Sequence, residues 1–239
     1  MVDWFWRKRR KAPAFRLRSR EETQPAARID LAEFAPQPVE YLARAAYVEL
    51  SHFEDLSRAV AIAPSIVAKE MLAGAAGAAV DRHRALVALL EARVDDVGVE
   101  MDRYRGVVDR FQRLTQGQDW YEATLTCYLA GGFLGDLFLA LADALPRELA
   151  PAAREIFATN ADETFVALFT AAMADNPRLP SRLALWGRRI LGDALLVARD
   201  VLSLNAAQAN AAEEARVEPA FSELVAQHTR RMDALGLSA

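Results

Sequence analysis

The chain has 239 residues, 53% of them hydrophobic, a single cysteine and a formal charge of −4. That length and apolar content support one substantial core with a tail rather than two domains, and the lone Cys127 excludes an intrachain disulfide. Charge is unevenly placed: residues 1–20 carry +7 and residues 21–239 carry −11, and no apolar segment follows the basic cluster as a secretory signal requires, so a reducing cytoplasmic setting is expected.

The head, MVDWFWRKRRKAPAFRLRSR, sets Trp4, Phe5 and Trp6 directly before Arg7, Lys8, Arg9, Arg10 and Lys11. Indole rings settle at headgroup level while basic side chains meet anionic lipid, at about 1 kcal/mol per residue. The same groups stack on bases and neutralise phosphates. Residues 1–20 are therefore expected to touch an anionic membrane surface or RNA, against the plain alternative of a solvated tail. Pro25, Pro36 and Pro38 mark the following residues, up to 38, as linker.

From Val39 to Ile62 apolar residues recur at helical spacing until Pro64 stops the run. Ser65 to Ala92 is a second helix, and its stretch AGAAGAA (73–79) predicts close packing. After a turn at 94–98, Val99 to Leu114 reads as one charged surface helix. Trp120 to Leu145 is apolar on nearly every face, which predicts burial. Asp119 and Glu122 stand at capping-box spacing at its start, and Pro146 closes it. It is long enough to span a bilayer, yet Asp136 near its middle and the amphipathic helices around it make it a core helix. Gly131, Gly132 and Gly135 cost about 1 kcal/mol each inside a helix, so a neighbouring backbone is expected close by. Cys127 in the same stretch reads as a small buried hydrophobe. Pro151 to Met173 and Ser181 to Asn205 are further helices, 206–218 an extension or hinge, and Pro219 to Leu235 a last, polar helix.

Two stretches, DWYEATLTCYLAGGFLGDLF (119–138) and RLALWGRRILGDAL (182–195), resemble the actinobacterial ferritin-like proteins similar to a tRNA hydroxylase that modifies a methylthio-isopentenyl adenosine. The resemblance implies an all-α fold: a ferritin-like four-helix bundle over 39–205, preceded by the tail and linker of 1–38 and followed by a C-terminal helical extension over 206–239. It also implies a core built for two irons, with the Trp-Gly-Arg-Arg segment on the helix after the four core helices.

A carboxylate-bridged di-iron site takes a carboxylate from each of two helices and a Glu-x-x-His pair from each of the other two. This chain has three histidines, His52, His83 and His228, and none between residues 84 and 227. By the resemblance, Glu49 matches the first ligand and is the one matched position of the six. The second helix offers Ala79 and Arg82 where a carboxylate and a histidine are due; the third offers Gly131 or Gly132, with Asp136 outside the ligand set; the fourth offers Thr159 and Asp162. Glu49-Leu50-Ser51-His52 has the Glu-x-x-His spacing but lies on the first helix, and His52 and His83 are expected to be ordinary helix histidines. A polar cluster of Glu49, Arg82 and Asp162 is expected in place of metal, with Arg82 bonding Glu49 or Asp162.

No nucleophile–histidine arrangement or phosphate-cradling loop stands out, so no catalytic residue is assigned. The expected function is that of a ferritin-like binding or scaffolding module without its di-iron site or another cofactor. It would act on an unidentified protein partner or a second copy of itself, at a membrane surface or on nucleic acid. The alternative is a di-iron oxygenase resembling a tRNA hydroxylase.

Overall fold

The computed structural model describes Phe34 and residues 36–158, 162–202 and 211–238, without the side chains of residues 162 and 211–215. The aromatic and basic residues from Trp4 to Lys11, and Thr159, lie outside the described residues. Among those described, all regular structure is helical: α1 (Pro38–Ala61), α2 (Ile66–Glu91), α3 (Val97–Asp102), α4 (Arg105–Leu114), α5 (Trp120–Ala142), α6 (Ala150–Phe157), α7 (Asp162–Asp175), α8 (Leu179–Val201) and α9 (Ala211–Ala234).

The helix ends follow local chemistry. Ser65 caps α2 by accepting from the Ala68 amide at 3.2 Å, and Asp119 caps α5 by accepting from Glu122 at 3.0 Å. Glu122 reaches back to the Gln118 amide at 2.9 Å, one residue beyond the usual capping-box partner, and so satisfies a second free amide. Pro38 and Pro151 occupy first-turn positions of α1 and α6, where a missing N–H breaks no helical bond.

Helix α5 is the centre of the packing, touching α1, α6, α8 and α9, while α1 and α2 form the most extensive helix pair. Leu125, Leu129, Phe133 and Leu137 on α5 are fully buried, each removing side-chain surface worth roughly 1.5–3 kcal/mol from water. Tyr41 of α1 packs edge-on against Phe138 and donates its hydroxyl to the Phe138 carbonyl at 2.9 Å. By length and mean hydropathy α5 could cross a membrane, but two-thirds of its apolar window is covered by the rest of the chain.

Several expected elements change shape. The run from Val99 to Leu114 is two helices: α3 buries nothing, whereas α4 turns to bury Val108 and Phe111, and the Arg44 guanidinium lies over the Tyr104 ring at the break. The helix expected over Pro151 to Met173 is also two. Phe157 stacks on Phe138 and Phe165 on Tyr128. Eight residues of unbroken helix advance about 12 Å, while the two partner rings are set about 15 Å apart along α5, so an interrupted segment lets both pairs seat. In α2, alanine rather than glycine makes the close contact: Ala76 and Ala79 are buried, whereas Gly74 and Gly77 face open space. Helix α9 runs through Pro219 and is not a polar surface helix. It buries Val217, Ala220, Leu224, His228, Arg231 and Met232, which offsets the helical bond that Pro219 removes.

Candidate functional site

The interior polar groups of α1, α2 and α5 meet around a cavity of about 130 Å³, lined among others by Glu49, His52, Arg82, Asp136 and the glycines of α5. Glu49 lies on the buried face of α1 and is 4% exposed. Arg82 reaches across from α2, and both its Nε and Nη2 stand 2.9 Å from Oε2 of Glu49. Burial pushes the Glu49 carboxyl above its ordinary range, and the Arg82 charge and hydrogen bond oppose that shift. A carboxylate this far withdrawn from solvent needs a cation, and here a guanidinium supplies it.

His52, one turn after Glu49, lines the same cavity and forms no hydrogen bond among the described residues. Burial, with the Arg82 charge second, lowers its pKa to about 3, so the ring is neutral at physiological pH. His52 sits in the gap left by Gly131: an alanine Cβ there would stand 2.5 Å from Cε1 of the imidazole. At Gly132 a Cβ would stand 2.6 Å from Cζ of Arg231. The close neighbours that these glycines admit are therefore side chains, not backbone as expected, and Gly135 meets nothing.

Through the Gly132 gap Arg231 forms two bonds to Asp136, Nη1 to Oδ2 at 2.6 Å and Nη2 to Oδ1 at 3.0 Å. Such a fork-to-fork pair is the geometry in which arginine binds carboxylate most strongly. Arg231 had no distinguishing mark in the sequence, because its partner is 95 residues away and α9 reads as polar. The pairing of Gly132 with Asp136 on an otherwise apolar helix is the signal that a large polar group from elsewhere must enter there. The side chain of Asp162, the third member of the expected cluster, lies outside the described residues. His83 stays apart from the cavity, with Nδ1 2.8 Å from the Ala46 carbonyl oxygen.

The Trp-Gly-Arg-Arg segment of α8 holds this arrangement together from outside. Trp186 donates Nε1 to Thr126 on α5 at 2.9 Å, and Thr126 donates to the Thr115 carbonyl at 2.8 Å. Gly187 leaves room for Met232 and Leu129, and its carbonyl oxygen is 3.2 Å from Nε2 of the buried His228. Arg188 bonds the Ser238 carbonyl at 2.7 Å, and Arg189 bonds the Leu114 carbonyl at 3.3 Å. The motif thus staples α4, α5 and α9 and fixes the depth at which Arg231 enters.

An extensive α1–α2 helix pair packed on a central apolar helix, with polar groups gathered in the interior between them, gives a ferritin-like helical bundle. The model of the ferritin-like domain of actinomycetes matches residues 32–214, and the chain belongs to that family. No curated protein matches it.

Proposed function

We infer that this is a ferritin-like protein in which a fixed guanidinium does the electrostatic work of the metal centre, leaving a binding or scaffolding module rather than an oxygenase. The observation that carries this reading is the buried Arg82–Glu49 pair, because the one carboxylate that matches a family ligand already holds its counter-ion. Among the described residues, the remaining groups do not supply the ligands of a carboxylate-bridged pair of irons. Gly131 and Gly132 face the cavity where the third helix owes an acid, and Asp136 is engaged by Arg231. Among the described residues no group of three or more His, Cys, Asp or Glu side chains is placed to hold a metal. Neutralisation of Glu49 by Arg82 replaces the charge balance that a bound cation would provide, and Arg231 neutralises Asp136 beside it.

The second reading, a di-iron oxygenase resembling a tRNA hydroxylase, draws on Glu49 and His52, which line one cavity at Glu-x-x-His spacing. Equilibrium dialysis of the full chain against ferrous iron without oxygen separates the two. The module reading expects no saturable uptake up to about 100 μM, a range in which a site with affinity near −8 kcal/mol would fill. Saturable uptake of two irons per chain, abolished by Glu49→Gln, would establish the oxygenase reading instead.

A further inference from the structure

Helix α8 carries a solvent-exposed stripe along its outer side. Arg178 at its N-cap, then Arg182, Leu185, Arg189 and Leu196, are all exposed. At 100° per residue these five fall in one sector about 60° wide. Leu185 is 64% and Leu196 62% exposed, two of the seven exposed large hydrophobics among the described residues. Beside this face, α4 adds more of the same chemistry. Tyr47 to Asp109 at 2.5 Å and Gln112 to the Ser51 carbonyl at 2.9 Å turn one side of α4 toward α1, which leaves Arg110, Arg113 and the 40% exposed Leu114 on the remaining sides. The bond from Arg189 to the Leu114 carbonyl ties that end of α4 to α8.

The charge on this surface is lopsided. Arg182 pairs with Asp119 at 2.5 Å and lies 3.8 Å from Glu122, Asp193 stands one turn beyond Arg189 and Asp200 pairs with Arg44, but Arg110, Arg113, Arg178 and Arg189 have no carboxylate partner among the described residues. Elsewhere on the molecule arginines are commonly matched, as in Arg58 with Asp55 or Arg154 with Asp143. An acidic body therefore concentrates unmatched guanidinium groups, interleaved with exposed leucines, on one face.

We propose that the α4–α8 face is a docking surface for an anionic lipid bilayer. Leucines between arginines suit a membrane interface, where aliphatic side chains enter the acyl boundary while basic groups meet headgroup phosphates. Single-stranded RNA is held by aromatic platforms for its bases as well as by basic groups. The indole near this face, Trp186, is partly buried, covered by the Arg189 guanidinium at 5.0 Å from the ring centroid, and has donated its N–H to Thr126. The face shares no residue with the Glu49–Arg82 site.

Sedimentation of the full chain with vesicles tests this, using phosphatidylcholine alone and phosphatidylcholine mixed with phosphatidylglycerol. Binding is expected to the mixed vesicles and to weaken with salt. Replacing Arg110, Arg113 and Arg178 together by Gln should weaken it on the order of 100-fold, from about 1 kcal/mol per basic residue. Leu185→Gln with Leu196→Gln should weaken it at least about tenfold, which a purely electrostatic contact would not show. These exposed changes should leave the helical circular dichroism and the urea midpoint as in the parent. Variants that bind as the parent does would place any lipid contact elsewhere and overturn the proposal. So would failure of the parent to bind mixed vesicles, or binding to single-stranded RNA with the same arginine dependence and none to vesicles.

Discussion

Replacing Arg82 by alanine is expected to destabilise the folded chain by about 3 kcal/mol, the lower end of the 3–5 kcal/mol lost when one member of a buried ion pair is removed. The lower end applies because 20% of the Arg82 side chain meets solvent, whereas only 6% of the Glu49 side chain does. The loss comes from stranding the Glu49 carboxylate in a low-dielectric site, not from the arginine's own contacts. Glu49→Gln in the same background should therefore recover much of the loss, since a neutral amide has less hydration to lose. The pH dependence carries the same signature. Without Arg82 the folded-state pKa of Glu49 rises further above its unfolded value, so the folded state takes up a proton more readily than the unfolded chain as pH falls. The deficit of the alanine variant should accordingly be larger at pH 7 than at pH 5. Urea unfolding of the parent, both single variants and the double variant at the two pH values supplies the cycle. A loss below about 0.5 kcal/mol, the level of a solvated surface arginine, would show that the pair does not hold the interior together.

Acid is expected to weaken the fold through two histidines. Burial lowers His52 to about 3 and His228 to about 4, while an unfolded histidine titrates near 6.5. Both rings are neutral in the fold and become charged in the unfolded chain first, so the unfolded state binds more protons through the window below about 6.5. Stability held by the neutral rings is complete above that value and falls as pH drops toward their folded values. At about 1.4 kcal/mol per unit, each ring costs roughly 2 kcal/mol by pH 5. Glu49 and Asp55, both pushed upward by burial, act in the opposite sense over the range just above their ordinary values. The histidine contribution is isolated by comparing the parent with His52→Gln and His228→Gln from pH 7 to 5. The parent should lose more stability over that interval than either variant, and parallel curves would show that the rings titrate as exposed ones do.

The environments of these histidines were only partly legible in the sequence. Core placement of α5 followed from its all-round apolar composition, and the starts of α2 and α5 from Ser65 and Asp119, because such signals act within four residues. The contact between Glu49 and Arg82 was reachable because both occupy positions with a family pattern to compare. Interruptions after α3 and α6 were not legible, since they answer to distant partners, Arg44 for Tyr104 and Tyr128 for Phe165. The place of α9 was hidden for the same reason. Its charged composition describes its outer side, while the residues at its inner face, His228, Arg231 and Met232, acquire meaning only against Gly132 and Gly187. Reading those two glycines as gaps for side chains, rather than for backbone, would have pointed to a helix arriving from elsewhere in the chain.

The membership of this chain in a ferritin-like family sets the question that its interior answers: whether a guanidinium or a metal neutralises Glu49. Metal analysis of the full chain purified from iron-supplied cells, without chelators, asks it most directly. With Arg82 as the counter-ion of Glu49, iron is expected at trace level per chain, unchanged in Glu49→Gln. About two irons per chain, lost in that variant, would mean that the cavity of α1, α2 and α5 is a working carboxylate-bridged centre and that metal, not Arg82, neutralises Glu49.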